Sequence, residues 1–318
     1  MKKLTRTEAA EFLKARDHFV ILTHVRPDGD TVGSAAALCL GLRSLGKTAH
    51  VLYNPGVTPR YAWLHQGLTV EGAGEGDTIL STDVASPQML PPEFESLAQR
   101  VALRIDHHGS ATSFGEYELV DPHSASCAEV VFDVLEILGC PMTPGLVDAL
   151  YVGLSTDTGC FRFANTTAHT FRTAAVCAQY GARIFELNQQ LFETNTLGKL
   201  RMQGWIVEHM KLLEGGSMAV CAIPREVEEQ IGVTSDDMDN ISNFPRTVAG
   251  VNMAATLRQT PQGEVKLSVR AVPGYDASIV AQRFGGGGHK GAAGGILKGM
   301  GLNEAAAAVE AVMKELFP

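Results

Sequence analysis

Several short runs in this chain place acids and imidazoles directly after apolar stretches, which is a pattern that can hold metal ions. Asp106-His107-His108-Gly109 follows Val101, Ala102, Leu103 and Ile105, so its polar groups sit at the end of a buried strand. His24-Val25-Arg26-Pro27-Asp28-Gly29-Asp30 follows Phe19-Val20-Ile21-Leu22. Asp83 ends the segment that begins Thr78-Ile79-Leu80, and Asp157 lies in Ser155-Thr156-Asp157-Thr158-Gly159 after a helical pattern. One such Asp is most simply a cap or a turn residue. Four loops of this kind, supplying three histidines and five carboxylates, contain a ligand set for two hard or borderline divalent cations. The donors favour Mn²⁺, Co²⁺ or Mg²⁺ over a thiolate-held metal. His24, Asp28 and Asp30 read as one tight loop, stiffened by Pro27 and bent at Gly29, that turns both carboxylates toward one point.

The elements that position these groups alternate. Continuous apolar runs at 19–22, 49–53, 78–80 and 101–105 read as strands covered on both faces. Val32, Ala35, Ala36, Leu38, Cys39 and Leu42 share a helical pattern closed by Gly46. Ser126 and Glu129 read as a capping box opening a helix that ends at Gly139, and Thr143-Pro144 opens another through Leu154. The alternation predicts an α/β fold with a doubly wound, mostly parallel sheet, whose strand ends are where such folds place their chemistry. After a composition change near 195–200 the order shifts to strands at 218–223, 248–257, 264–269 and 295–297, with helices after Pro224, at about 276–284 and at the C-terminus. This predicts a smaller α+β domain. The boundaries are 1–194 for the first domain, 195–204 for a linker with a hinge near 195–200, and 205–318 for the second.

Composition narrows the function. The chain has 318 residues, 45% of them apolar, and a formal charge of −9, which argues against coating long duplex nucleic acid by electrostatics alone. Between Arg246 and Lys290, however, Arg246, Arg258, Lys266, Arg270, Arg283 and Lys290 face only Glu264 and Asp276. That local excess suits a few phosphates, or an ordinary solvated surface. The longest apolar run, Ala35 to Leu42, is too short to span a bilayer. The N-terminus lacks a signal-peptide pattern, and six scattered cysteines without a C-x-x-C pair suit reduced thiols, so a cytoplasmic location is expected.

Taken in order, H-x-x-P-D-G-D at 24–30 with Gly33-Ser34, the isolated Asp83, D-H-H at 106–108 and D-T-G-x-F-R-F at 157–163 resemble the four motifs of the DHH phosphoesterase superfamily. Lys266-Leu267-Ser268-Val269-Arg270 and the run Gly285 to Gly294 resemble the DHH-associated substrate-binding domain. Size and domain order are most similar to the NrnA-like nanoRNases, which also dephosphorylate 3′-phosphoadenosine 5′-phosphate (pAp). The resemblance implies that His24 and Asp28 hold one cation, Asp30, His107 and Asp157 the other, and that Asp83 bridges both. It implies that Asp106 orients an imidazole and that His108 faces the scissile phosphate as proton donor or charge stabiliser. Two cations, Mn²⁺ foremost, would acidify the attacking water and clamp the phosphoryl oxygens.

In the second domain the glycine run reads either as a flexible loop or, by the resemblance, as amides of Gly286, Gly287 and Gly288 that approach a phosphate beside His289. Arg270 would grip a phosphate, with Arg258 as a further contact. Arg162 would support the metal-side phosphate or form a structural ion pair. Ala271 departs from the Ser common at this position in relatives. The expected partners are short single-stranded oligonucleotides and nucleotide phosphates, with no membrane and with a homodimer left open. A linear or cyclic dinucleotide phosphodiesterase, a pyrophosphatase and a non-catalytic nucleotide binder remain the alternatives.

Overall fold

The computed structural model describes residues 2–109, 112–238 and 240–317. Two compact units divide the chain, Met1–Thr194 and Asn195–Pro318. The strands among the described residues of the first are β1 (Lys2–Lys3), β2 (Phe19–Leu22), β3 (Ala49–Leu52), β4 (Thr69–Val70), β5 (Thr78–Thr82), β6 (Val101–Asp106) and β7 (Tyr117–Val120). Their order is β1-β7-β6-β5-β2-β3-β4, and neighbouring strands pair in parallel. The chain leaves β2 toward β3 on one side and returns to β5 on the other. The C-terminal ends of β2 and β5 therefore flank the point where winding reverses, the usual ligand position in a doubly wound sheet.

The α-helices among the described residues of this unit are α1 (Arg6–Lys14), α2 (Gly29–Ser44), α3 (Cys127–Ile137), α4 (Pro144–Asp157), α5 (Ala168–Gln179) and α6 (Ile184–Asn188). Small residues make α2 buried around most of its circumference, so it packs closely on α4. A Cβ on Gly33 would lie 2.5 Å from the Ala149 carbonyl oxygen, and one on Gly153 would lie 2.9 Å from Asp30 Oδ1. This close crossing brings the start of α2 to the end of α4, and thus Asp30 to Asp157. Gly33→Val should therefore cost about 1–3 kcal/mol, the usual range for overpacking. Urea unfolding checks this, and an unchanged midpoint would mean that the helices separate freely.

The second unit carries β8 (Lys211–Leu213), β9 (Met218–Ile223), β10 (Met253–Gln259), β11 (Val265–Ala271), β12 (Gly287–Gly288) and β13 (Ala292–Leu297). Their order is β12-β13-β11-β10-β9-β8; β9 and β10 pair in parallel and the other neighbours pair antiparallel among the described residues. Its helices are α7 (Leu197–His209), α8 (Arg225–Ile231), α9 (Ala277–Gln282) and α10 (Leu302–Leu316). Met218, Val220, Met253, Leu257, Val309 and Met313 belong to its main core.

The expected linker at 195–204 is mostly helix. Thr196 caps α7 by accepting from Lys199 N at 3.0 Å, and Met202 and Ile206 are fully buried with Cys221 and Ile223. A helical spacing of apolar residues, hidden among polar ones, overrides the loop-like composition. Residues 248–252, expected as strand, precede β10 and lie outside it. The Ser126 capping box is half formed: Ser126 accepts from Glu129 N, but the Glu129 carboxylate reaches back to Ala125 N rather than to its cap. Among the described residues no helix is long and apolar enough to cross a membrane.

Candidate metal centre and substrate groups

Three adjacent strand ends deliver most of the polar cluster. His24 follows β2, Asp83 directly follows β5, Asp106 ends β6, and His107 and His108 come next. The other acids come from helix ends. Asp28 caps α2, accepting from Asp30 N and Thr31 N at 3.1 Å each. Asp30 lies in the first turn of that helix, and Asp157 is the last residue of α4.

The single tight loop expected around Gly29 is therefore corrected. Gly29 is helical, and it is small because Thr156 Oγ1 would lie 2.4 Å from its Cβ. Asp28 and Asp30 separate into different groups instead of turning toward one point. One group is His24, Asp28 and Asp83, and another is Asp30, His107 and Asp157; within each, the donor atoms lie within 4.8 Å of one another. A third such group joins Asp83, His107 and His108.

Hydrogen bonds fix these side chains. Asp30 accepts from Cys127 N at 2.6 Å and Ala128 N at 2.9 Å, at the N-terminus of α3, where backbone donors favour a carboxylate. Asp83 adopts a left-handed backbone (φ 59°), a conformation that costs energy for a side chain with a Cβ and marks functional sites. Its Oδ2 accepts from Thr31 Oγ1 at 2.5 Å, whereas its buried Oδ1 has no hydrogen-bond partner among the described residues.

The two adjacent imidazoles differ. His107 Nδ1 faces the Ser124 carbonyl at 3.3 Å, so that nitrogen donates and Nε2 keeps its lone pair. Nε2 points at Asp157 Oδ2 (3.5 Å), Asp83 Oδ1 (3.6 Å) and Asp30 Oδ2 (3.8 Å). His108 Nδ1 instead donates to Asp106 Oδ1 at 2.8 Å. Asp106 is fully buried, and Arg104 Nη1 reaches its other oxygen at 3.2 Å while Arg104 Nη2 holds Glu118 at 2.7 Å.

The electrostatics of this cluster call for positive charge. Burial and neighbouring carboxylates push Asp30 and Asp83 well above the usual carboxylate range, and burial with Asp28 pushes Asp157 up to about 7. Burial lowers His24 and His107, leaving neutral imidazoles. The hydrogen bond to Asp106 raises His108. Burial opposes ionisation of Asp106, but the bonds from His108 and the charge of Arg104 hold it below the ordinary carboxylate value. A lone pair and an unpaired carboxylate oxygen facing one another fit a divalent cation.

The folded chain therefore binds protons on Asp30, Asp83 and Asp157 more tightly than the unfolded chain does. These groups favour folding below about pH 4, the unfolded carboxylate value, and that contribution is lost as pH rises through their raised folded values. Metal-free protein should accordingly melt lower at about pH 8 than at about pH 5.5, and a divalent cation should raise Tm more at the higher pH. Differential scanning calorimetry reads both. Cation-induced stabilisation that shrinks as pH rises would contradict this assignment of charge.

In the second unit Arg270 is half-buried, and its Nε donates to Asn243 Oδ1 at 2.9 Å. Burial and nearby Arg246 lower its pKa, so two cations approach each other without an acidic partner between them among the described ion pairs. Arg258 is different. Its guanidinium is bound in bidentate fashion by Glu228 at 2.8 and 3.0 Å, which corrects its expected role as a substrate contact. Arg162 is exposed and donates from Nε to the Gly159 carbonyl at 2.6 Å; the ion pair considered for it is not among those of the described residues.

The glycine run is a hairpin edge. Gly287 and Gly288 form β12, His289 sits in the exposed turn, and Gly288 has φ 138° with Ala292 O 2.6 Å from the position of a Cβ. Close backbone packing therefore requires glycine at Gly286 and Gly288, whatever they bind. Thr31, Arg104 and Asn243 are the groups that the sequence did not single out. The signal for Arg104 was available, as a lone cation between Leu103 and Ile105 in a buried strand.

A doubly wound sheet with this cluster on its C-terminal edge, followed by a mixed-sheet unit with a half-buried arginine pair, defines a two-unit α/β protein suited to divalent cations and anionic ligands. Residues 18–154 match the DHH family N-terminal domain and residues 215–315 match the DHHA1 domain. The chain belongs to the DHH family. It is 34% identical over 311 residues to the bifunctional oligoribonuclease and PAP phosphatase NrnA of Thermus thermophilus, covering 96% of this chain and 93% of that one. An exopolyphosphatase-related protein from Bacteroides fragilis shares the fold (TM-score 0.83, 22% identity, 98% and 97% of the two chains). So does exonuclease RecJ bound to manganese (TM-score 0.57, 16% identity, 100% and 96%).

Proposed function

We propose that this chain is a divalent-cation-dependent phosphoesterase that hydrolyses very short oligonucleotides and pAp. The observation that carries the reading is the unpartnered, buried Oδ1 of Asp83, 3.6 Å from the His107 Nε2 lone pair, in a cluster of further carboxylates and imidazoles. The activity named for the Thermus relative, over nearly the whole length of both chains, supports the substrate class.

His24, Asp28 and Asp83 would hold one cation, and Asp30, His107 and Asp157 the other, with Asp83 shared. His107 rather than His108 belongs in this set because the ligating face of His108 Nδ1 is taken up by Asp106. Bound cations supply Lewis acidity that polarises the phosphoryl group and acidifies the attacking water, and Mn²⁺ suits the mixed imidazole and carboxylate donors. The protein's own part is positional and protonic. Asp106 fixes the His108 ring through Nδ1 and favours its protonated form, leaving a proton at Nε2 for the leaving oxygen. In pAp hydrolysis, the attacking water gives up one proton to bulk solvent, its oxygen bonds to phosphorus, the P–O3′ bond breaks, and the His108 proton goes to the 3′ oxygen.

Arg270, steadied by Asn243 and assisted by Arg246, would bind a terminal phosphate, with the Gly286–Gly288 hairpin and His289 beside the same ligand. Six free cysteines suit a reducing compartment, and we assign the chain to the cytoplasm. Arg270→Ala should lower kcat/KM for pAp by roughly 10- to 150-fold, the worth of a charge-assisted contact. Hydrolysis of nitrophenyl phosphate and metal content should change little. Equal losses on both substrates would place Arg270 at the chemical step instead.

A further inference from the structure

Beside the candidate metal centre, where β3 and β4 extend the sheet, lies a cavity of about 480 Å³ that the reaction above does not use. Its lining includes Tyr53, Asn54, Val57, Trp63, Gln66 and Thr69. Asn54 joins it to the metal side. The Asn54 amide nitrogen donates to Thr23 Oγ1 at 2.9 Å and to the His24 carbonyl at 2.8 Å, while its oxygen accepts from Gly56 N at 2.9 Å. Gly56 packs so tightly on this loop that a Cβ there would lie 2.4 Å from the Val25 carbonyl oxygen. The cavity is thus fixed to the segment that carries His24, one to two strands away, or about 5–10 Å at ordinary strand spacing.

The chemistry of the lining is specific. Tyr53 is 46% exposed, so its ring is available on the surface. Trp63 is half-buried, with the Arg183 guanidinium 5.3 Å from its ring centroid. The side-chain amide of the exposed Gln66 has no partner among the described residues, and it offers both a donor and an acceptor. Aromatic faces with a free amide suit a flat heteroaromatic ring that carries hydrogen-bonding edges. His65, the basic side chain in the lining, is buried, its Nε2 faces the Val32 carbonyl at 3.1 Å and burial lowers its pKa, so it offers a phosphate little charge and a phosphate is a poor occupant.

We infer that this cavity receives the base of the second nucleoside of a dinucleotide substrate, the one attached beyond the scissile phosphate. The inference rests on the phosphoesterase reading and gives it a reason to distinguish pApA from pAp: pAp has no second nucleoside to place there. The pocket would then raise specificity for a dinucleotide over the monoester by stacking, without touching the reacting atoms.

The test uses the full-length protein with Mn²⁺ and compares kcat/KM for three substrates: pApA, the same dinucleotide with an abasic second position, and pAp. Wild-type protein should prefer pApA over the abasic analogue by roughly 5- to 150-fold, the worth of one stacked base. Tyr53→Ala, an exposed and structurally mild change, should erase most of that preference while pAp turnover stays within about twofold. Gln66→Ala should weaken it less. Turnover of pApA and pAp by wild-type protein with no preference over the abasic analogue would overturn the pocket and leave the phosphoesterase reading standing. An equal effect of Tyr53→Ala on pAp and pApA would also overturn it. Absence of turnover on all three substrates would sink the phosphoesterase reading, and this inference with it.

Discussion

Asp83→Ala is expected to reduce turnover by on the order of 10³-fold or more and to lower the content of both cations together. The reason is positional. Asp83 directs one oxygen toward the side of His24 (3.8 Å) and the other toward His107 (3.6 Å), so one carboxylate faces both ligand groups. It is held there by a left-handed backbone, by its N–H on the Ile105 carbonyl at 3.0 Å and by Thr31. Asp28→Ala makes a useful contrast. Asp28 is exposed, belongs to one group only and also caps α2, so its loss should deplete one cation and cost about 1 kcal/mol of stability. Metal analysis of the purified variants separates the two. Full activity of Asp83→Ala at ordinary Mn²⁺ would remove it from the centre.

The second large effect divides the adjacent histidines. His108→Ala should retain its metal and slow turnover by about 10²–10⁴-fold, the range for a positioned acid or a preorganised charge. His107→Ala should lose metal instead. The difference follows from their Nδ1 partners. Ser124 O accepts a hydrogen bond from His107 Nδ1 and leaves Nε2 free for coordination, whereas Asp106 holds His108 by Nδ1 and supports its charged form. Metal loss in His108→Ala with retention in His107→Ala would reverse the two roles.

The polar cluster itself is partly legible in the sequence. Polar residues directly after apolar runs marked the ends of β2, β5 and β6, because a parallel sheet covered on both faces leaves only its edges for polar chemistry. The order of β2, β5 and β6 in the sheet, and therefore which acids meet, depends on pairing between strands far apart in sequence. For that reason Asp28 and Asp30 were read as converging, although the first turn of α2 sends them to different groups. Glycines misled in the same way. Gly29 and the run at 285–288 suggest bends or loops, while the reason for Gly29, Gly286 and Gly288 is a neighbouring atom that a Cβ would strike.

Charge was the least legible property. Arg258 and Arg270 both stand on strands in a basic segment, yet Glu228 from α8 claims the first, and only the second stays without an acid among the described ion pairs. The start of α7 resembled a linker because its exposed positions, including Leu197 and Leu200, hid the spacing of Met202 and Ile206. Local composition cannot reveal a partner supplied by another element.

A turnover panel on metal-stripped protein reloaded with saturating Mn²⁺ addresses the proposed activity most directly. The substrates are pAp, pApA, longer RNA and DNA oligomers, cyclic dinucleotides and pyrophosphate. Turnover should be absent before reloading, return with Mn²⁺, and be greatest on pAp and pApA. Nucleotide binding without turnover at saturating Mn²⁺, or hydrolysis of pyrophosphate or cyclic dinucleotides in strong preference to pAp and pApA, would contradict it.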